Sequence, residues 1–170
     1  RLLDQVPGPR NILITVNAGA LPSDHWLLDP DVGGGRILGE ACHHIDLVRD
    51  LTGSTFRHFN AVGDKNNAAL TLTATDGSVA TINYFVNGGK RFQKERVEVF
   101  VGNAVLQLEN YRVLRGFGWP GFKSRRLLRQ DKGHHACVEA FVQCVRNGGD
   151  PPIPLSEILE VARVSIEVAD

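Results

Sequence analysis

The sequence predicts an α+β fold: an open, mostly antiparallel β-sheet with helices on one face. Three observations predict it. Alternating apolar segments follow one another from residue 56 to residue 108, broken by Asp76-Gly77 and Gly102-Asn103, both turn signals. An amphipathic segment that opens on Gly33-Gly34-Gly35 precedes this meander, and two helical patterns follow it. The length of 170 residues, with 42% hydrophobic and 22% charged residues, suits one domain with a sizeable core, spanning 1–170.

Taken in order, Ile12-Leu13-Ile14-Thr15-Val16 is a first strand, rich in β-branched residues. A loop with Pro22, Pro30 and the glycines leads into the first helix, which stops at Gly53. Strands are expected at Phe56–Val62, Ala69–Thr75, Val79–Phe85, Arg96–Val101 and Ala104–Leu108, with Tyr111–Leu114 as a last edge strand. Helices over 132–147 and 155–168 close the domain. They cover one sheet face, so the other is expected to meet a second copy, giving a homo-oligomer through the sheet face.

Charge excludes some partners. Lys and Arg together number 19, as do Asp and Glu, so the chain offers no generic surface for nucleic acid or membrane. No apolar run is long enough for a membrane span and no signal peptide is visible. The three cysteines, Cys42, Cys137 and Cys144, lie in helical patterns; Cys137 and Cys144 read as small core residues, and the usage suits the cytoplasm. The chain starts at Arg1 and has no Met, which points to a fragment or a processed chain.

The candidate chemistry sits on the first helix. At about 100° per residue, Ile37, Ala41, Ile45 and Val48 share one side, and His44 falls among them. His44 therefore reads as a core or half-buried histidine. His43 falls on the opposite side, near Arg36, Gly39, Asp46 and Asp50. It is either a solvated surface histidine or, with carboxylates a turn away, a general acid/base. The triple glycine is either a tight turn and helix start or a place where backbone approaches a ligand closely.

The stretch from Trp26 through Asp29-Pro30-Asp31-Val32 and Gly33-Gly34-Gly35 to Leu51-Thr52-Gly53 resembles the Gfo/Idh/MocA family of oxidoreductases, which includes glucose-fructose oxidoreductase and inositol dehydrogenase. Asn17-Ala18-Gly19-Ala20-Leu21-Pro22-Ser23-Asp24-His25-Trp26, the Gly39-Glu40 pair, Asp131-Lys132-Gly133-His134 and Pro152-Ile153-Pro154 are similar to a subgroup whose reductase is sometimes fused to a zinc-type alcohol dehydrogenase module.

The resemblance implies the C-terminal, dihydrodipicolinate reductase-like domain of an enzyme that binds NAD or NADP mainly through an N-terminal Rossmann domain absent from this chain. It implies a sugar, cyclitol or related polyhydroxylated substrate. It implies His43 as the catalytic histidine and Asp46 as the second of the family's two aspartates. The first falls on Gly39, so Glu40 is the candidate replacement. Gly34 and Gly35 then lie toward the cofactor.

Other residues have two readings each. Trp26 stacks on a sugar ring or packs. Lys132 and His134 face the substrate or cap their helix. Lys123, Arg125, Arg126 and Arg129 bind phosphate or form a solvated loop. No Gly-x-Gly-x-x-Gly follows a strand, and no Walker sequence or nucleophile elbow is present. The alternative to an enzyme is a non-catalytic sensor or assembly domain of the same fold. A metal-dependent hydrolase ranks last, since His43 and His44 diverge and no His-Glu-x-x-His occurs.

Overall fold

The computed structural model describes residues 2–29 and 31–169. Pro30, which the sequence puts in the loop before the glycines, lies outside the described residues. The chain forms eight strands: β1 (Asn11–Asn17), β2 (Phe56–Gly63), β3 (Ala68–Ala74), β4 (Val79–Phe85), β5 (Glu95–Val101), β6 (Ala104–Glu109), β7 (Val113–Phe117) and β8 (Ser124–Arg126). The helices are α1 (Cys42–Thr52), α2 (His134–Asn147) and α3 (Leu155–Glu167).

All eight strands join one sheet in the order β2-β3-β4-β1-β5-β6-β7-β8. Among the described residues only the β1–β4 pairing is parallel; the others are antiparallel. The open, mostly antiparallel sheet is therefore as expected. The first strand in sequence is central in space, where it closes a hydrophobic row with β4 and β5.

Alternation decides which side is buried. Ile12, Ile14 and Val16 point into the core with Leu70, Leu72, Ile82, Val97 and Val99. Ile45 and Val48 of α1 and Val161 and Val164 of α3 cover them. Each such side chain contributes about 1.5–3 kcal/mol relative to exposure. An ion pair ties the two helices together. Arg49 bonds Glu160 at 2.8 Å and Glu157 at 3.5 Å, and Glu160 also accepts the amide of Phe56 on β2.

The other face carries polar and apolar positions in register: Val79, Asn11, Phe100, Val105 and Phe117 pair across it in one row. Leu13 stands between Thr81 and Glu98, and Glu98 stands beside Gln107, which is followed by Arg115. Arg96 pairs with Glu98 at 2.6 Å and Arg115 with Glu109 at 2.6 Å.

Three expectations need correction. The last edge strand is β8, not the segment at 111–114, because Ser124–Arg126 pairs with β7; Arg125 and Arg126 lie in a strand rather than a loop. Helix α2 does not close the domain, since none of its residues is buried. Cys137 and Cys144 are therefore not core residues. Cys137 is exposed, and Cys144 is half-buried with its thiol directed at the carbonyls of Gly149 and Asp150. Amphipathic spacing alone could not show what, if anything, the apolar stripe of α2 would meet.

Candidate functional site

The site is built on the entry to α1. Asp29 folds the preceding loop back, its carbonyl accepting the amides of both Gly33 (2.9 Å) and Gly34 (3.0 Å). A side chain at Gly33 would collide with the backbone of Leu27, about as close as 2.4 Å to its Cα. Gly34 and Gly35 adopt φ of 67° and 89°, conformations that L side chains rarely take. The tight-turn reading thus accounts for all three glycines. The amide of Gly34 is already committed to the loop, which leaves it no donor for a cofactor phosphate.

The helix then starts with a π-helical turn over Ile37–Ala41. A π turn holds one more residue than an α turn, so it shifts the phase of what precedes it. That is why Arg36, which a uniform 100° wheel puts beside His43 on the polar side, is buried at 2% exposure. Its guanidinium bonds both carboxylate oxygens of Glu40 at 3.1 Å, the hydroxyl of Tyr84 at 3.2 Å and the carbonyl of Gly19. The Tyr84 hydroxyl in turn donates to Glu40. Burial, with the hydrogen bond and charge of Glu40, holds the Tyr84 phenol well above its ordinary pKa.

Glu40 is therefore engaged beneath the helix with Arg36 and Tyr84, and it makes no hydrogen bond to His43 among the described residues. Gly39 has a packing reason of its own. A Cβ there would lie 2.1 Å from Cδ1 of the buried Leu27, so a carboxylate at this position would displace Leu27.

His43 and His44 diverge as the helical spacing predicts. His44 is 7% exposed, its ring edge-on to Tyr84 at 6.5 Å. Burial pulls its pKa down to about 4; the Glu95 carboxylate opposes this, while His43 and Lys132 reinforce it. Glu95 is itself buried at the start of β5 and accepts Lys132 Nζ at 2.6 Å; Lys132 also sits 5.4 Å from the centre of the Tyr111 ring. Among the described residues, His44 Nδ1 and Glu95 Oε2 are buried without a hydrogen-bond partner. Arg36, Tyr84 and Glu95 are the polar residues that sequence reasoning missed. The signal for Glu95 was legible: it shares the inward alternation of Val97, Val99 and Val101.

His43 is exposed and makes no hydrogen bond among the described residues. Asp46, three residues on, is open as a residue, yet its carboxyl borders a groove between α1 and α3. Partial burial pushes its pKa up; the Asp50 charge adds to this, His43 opposes it, and Glu157 adds again. His43 and Asp46, three residues apart on α1, thus share one open face of the helix.

The remaining candidates lie apart from this pair. Trp26 is 61% exposed and stacks on His25 at 5.8 Å; His25 Nδ1 caps the short turn that Trp26 begins. Lys132 turns inward to Glu95 and so anchors the start of α2. His134 is exposed at the first turn of α2, where the Asp131 carboxylate accepts the amide of Gly133 at 2.8 Å. Among the described residues no three His, Cys, Asp or Glu side chains converge as metal ligands, and no helix is long and apolar enough to cross a membrane.

Comparisons with known proteins place the fold. No protein-family model matches the chain, and no curated protein does. Solved structures match it closely. The UDP-N-acetylglucosamine 3-dehydrogenase GnnA from Acidithiobacillus ferrooxidans superposes with a TM-score of 0.73 at 20% identity, over 95% of this chain and 53% of that one. An aldose-aldose oxidoreductase from Caulobacter crescentus, complexed with glycerol, gives 0.78 at 18% identity, over 99% and 56%. An oxidoreductase domain protein from Kribbella flavida gives 0.78 at 17% identity, over 97% and 57%. The chain has the α+β fold of the C-terminal domain of Gfo/Idh/MocA-type oxidoreductases, and it spans little more than half the length of the structures it matches.

Proposed function

We propose that this chain is the substrate-binding part of a nicotinamide-dependent oxidoreductase acting on a sugar, a cyclitol or a related polyhydroxylated compound. The observation that carries the reading is His43: an open imidazole with the Asp46 carboxylate one turn on, on a fold shared with a UDP-N-acetylglucosamine 3-dehydrogenase and an aldose-aldose oxidoreductase. His43 accepts the proton of a substrate hydroxyl as it becomes a carbonyl, a nicotinamide coenzyme when bound would take the hydride from the same carbon, and the imidazolium returns the proton in the reverse direction. A nearby carboxylate, Asp46, stabilises that imidazolium.

The residues of this chain do not fit the phosphates of a dinucleotide. No Gly-x-Gly-x-x-Gly follows a strand in the sequence, and the Gly33 and Gly34 amides already bond Asp29. In this reading the phosphate site belongs to a nucleotide-binding half outside these 170 residues. The open sheet face serves association with a second copy, which light scattering of the purified protein reads directly.

The test is coenzyme reduction by the full-length protein over a panel of aldoses, cyclitols and nucleotide-linked sugars. Turnover of one class with NAD or NADP supports the reading. A sensor or assembly role is favoured by the missing carboxylate at Gly39. It gains if the full-length protein binds such compounds without turning them over.

A further inference from the structure

The loop between β1 and α1 holds an aromatic pair that the proton transfer does not use. Trp26 is exposed, although tryptophan is among the more buried residue types on average. Its place is nonetheless fixed. His25 stacks on it at 5.8 Å with 29° between the ring planes, and His25 Nδ1 accepts the amide of Leu27 at 3.2 Å. Leu27 is buried and lies against Gly33 and Gly39, where no side chain would fit beside it. The indole is thus held in place while its surface stays open.

Trp26 and His43 share no hydrogen bond or ring contact among the described residues, yet the chain keeps them close. Leu27 rests on Gly39, and His43 stands four residues further along the helix. That is one turn, about 6 Å along the axis, on the same side.

Charge decides what this surface accepts. Residues 17–35 contain Asp24, Asp29 and Asp31 and no Lys or Arg. Arg36, the next residue, is buried and committed to Glu40, Tyr84 and the carbonyl of Gly19. A phosphate would meet carboxylates here with no free cation to offset them. A neutral polyhydroxylated ring would meet acceptors. The Ser23 and Asp24 side chains are exposed and make no hydrogen bond among the described residues. With His25, Leu28 and Asp29 they line a hollow of about 330 Å³. Neutral His25, whose Nδ1 accepts, carries its ring proton on Nε2 as a donor.

We propose that Trp26 is the platform for an uncharged pyranose ring of the substrate. The C–H face of the sugar lies on the indole, its hydroxyl groups reach Ser23, Asp24 and His25, and its reacting carbon is presented to His43. The inference rests on the functional reading above and narrows it: the ring at this site is neutral, and any phosphate of a nucleotide-linked sugar lies away from the β1–α1 loop.

The test titrates a panel of methyl pyranosides into the full-length protein and follows tryptophan emission. At least one member changes the emission, and Trp26→Ala abolishes the change. Trp119, the other tryptophan of this chain, is 6% exposed and stays silent. In coenzyme reduction, Trp26→Ala raises KM for the sugar about ten-fold, more than it lowers kcat, and Trp26→Tyr restores most of the loss. Because Trp26 is exposed, both variants keep the melting temperature of the unmodified protein. No emission change across the panel overturns the proposal, as does a change that survives Trp26→Ala. A rise in KM for NAD or NADP alone also overturns it, because the indole then serves the coenzyme. If no sugar is turned over yet Trp26-dependent binding persists, the platform stands and the oxidoreductase reading fails; if turnover persists in Trp26→Ala at unaltered KM, the platform alone fails.

Discussion

The face of α1 that carries His44 is packed, charged and bonded, and the face that carries His43 is open. Beneath the helix, Arg36, Glu40 and Tyr84 share hydrogen bonds, and the Lys132–Glu95 pair lies close enough to His44 to act on its charge. On the outer face His43 has Asp46 as its electrostatic neighbour and no hydrogen bond among the described residues. Two adjacent residues of one type thus meet different surroundings. Packing encloses one face of the helix and leaves the other open, and the open face is where the proposed proton transfer is assigned.

Breaking the inner face should cost stability rather than activity. The largest effect is expected for Arg36→Met. It removes a guanidinium at 2% exposure and leaves the Glu40 carboxylate against the Tyr84 hydroxyl without its counter-charge. Loss of one partner of a buried pair costs about 3–5 kcal/mol, and the partial exposure of Glu40 puts this case at the low end. Urea unfolding of the purified protein measures it. A loss below about 1 kcal/mol would dissolve the distinction between the faces.

Lys132→Met comes next. It strands the buried Glu95 carboxylate, and a loss of about 2 kcal/mol is expected, tempered by the partial exposure of the amine. The same variant should release the start of α2, which faster amide exchange over 134–138 would report. Unchanged exchange would mean that α2 has another anchor.

His44 sharpens the comparison through pH. Its folded pKa of about 4 lies below the ordinary 6.5, so the unfolded chain takes up the proton first. Its contribution is intact above pH 6.5, shrinks as pH falls, and is gone near pH 4. The total is roughly 3 kcal/mol. His44→Phe should flatten the dependence of melting temperature on pH across that window. A slope that survives the substitution would assign it to other groups.

The smallest effect on turnover is expected from Glu40→Gln. Its carboxylate faces Arg36 and Tyr84, so the change costs stability by leaving the buried guanidinium without its counter-charge, while turnover of the full-length protein stays nearly unchanged. A large loss of turnover at full stability would return Glu40 to the proton relay.

Much of this architecture was legible in the residues. Alternation found six strands because each has one buried face, and helical spacing separated His43 from His44 because residues 42–52 form a regular α-helix. The failures have physical causes. Beginning the helix with a π turn shifts the phase of Arg36, which no uniform wheel can anticipate. Strand β8 is short and basic, and pairing with β7 rather than its own pattern makes it a strand. The stripe of α2 looked like core because amphipathicity records a partner without saying which. Glu95 and Lys132 are far apart in sequence, so no local pattern could join them.

The central claim is that the outer face of α1 performs proton transfer and the inner face holds the helix. It is tested most directly by measuring turnover and melting temperature together for His43→Ala and His44→Ala in the full-length protein. The account predicts that His43→Ala lowers turnover by about 10²–10⁴-fold at unchanged melting temperature, the usual scale for a general acid/base, while His44→Ala lowers the melting temperature through the cavity it leaves. Full turnover in His43→Ala would contradict it.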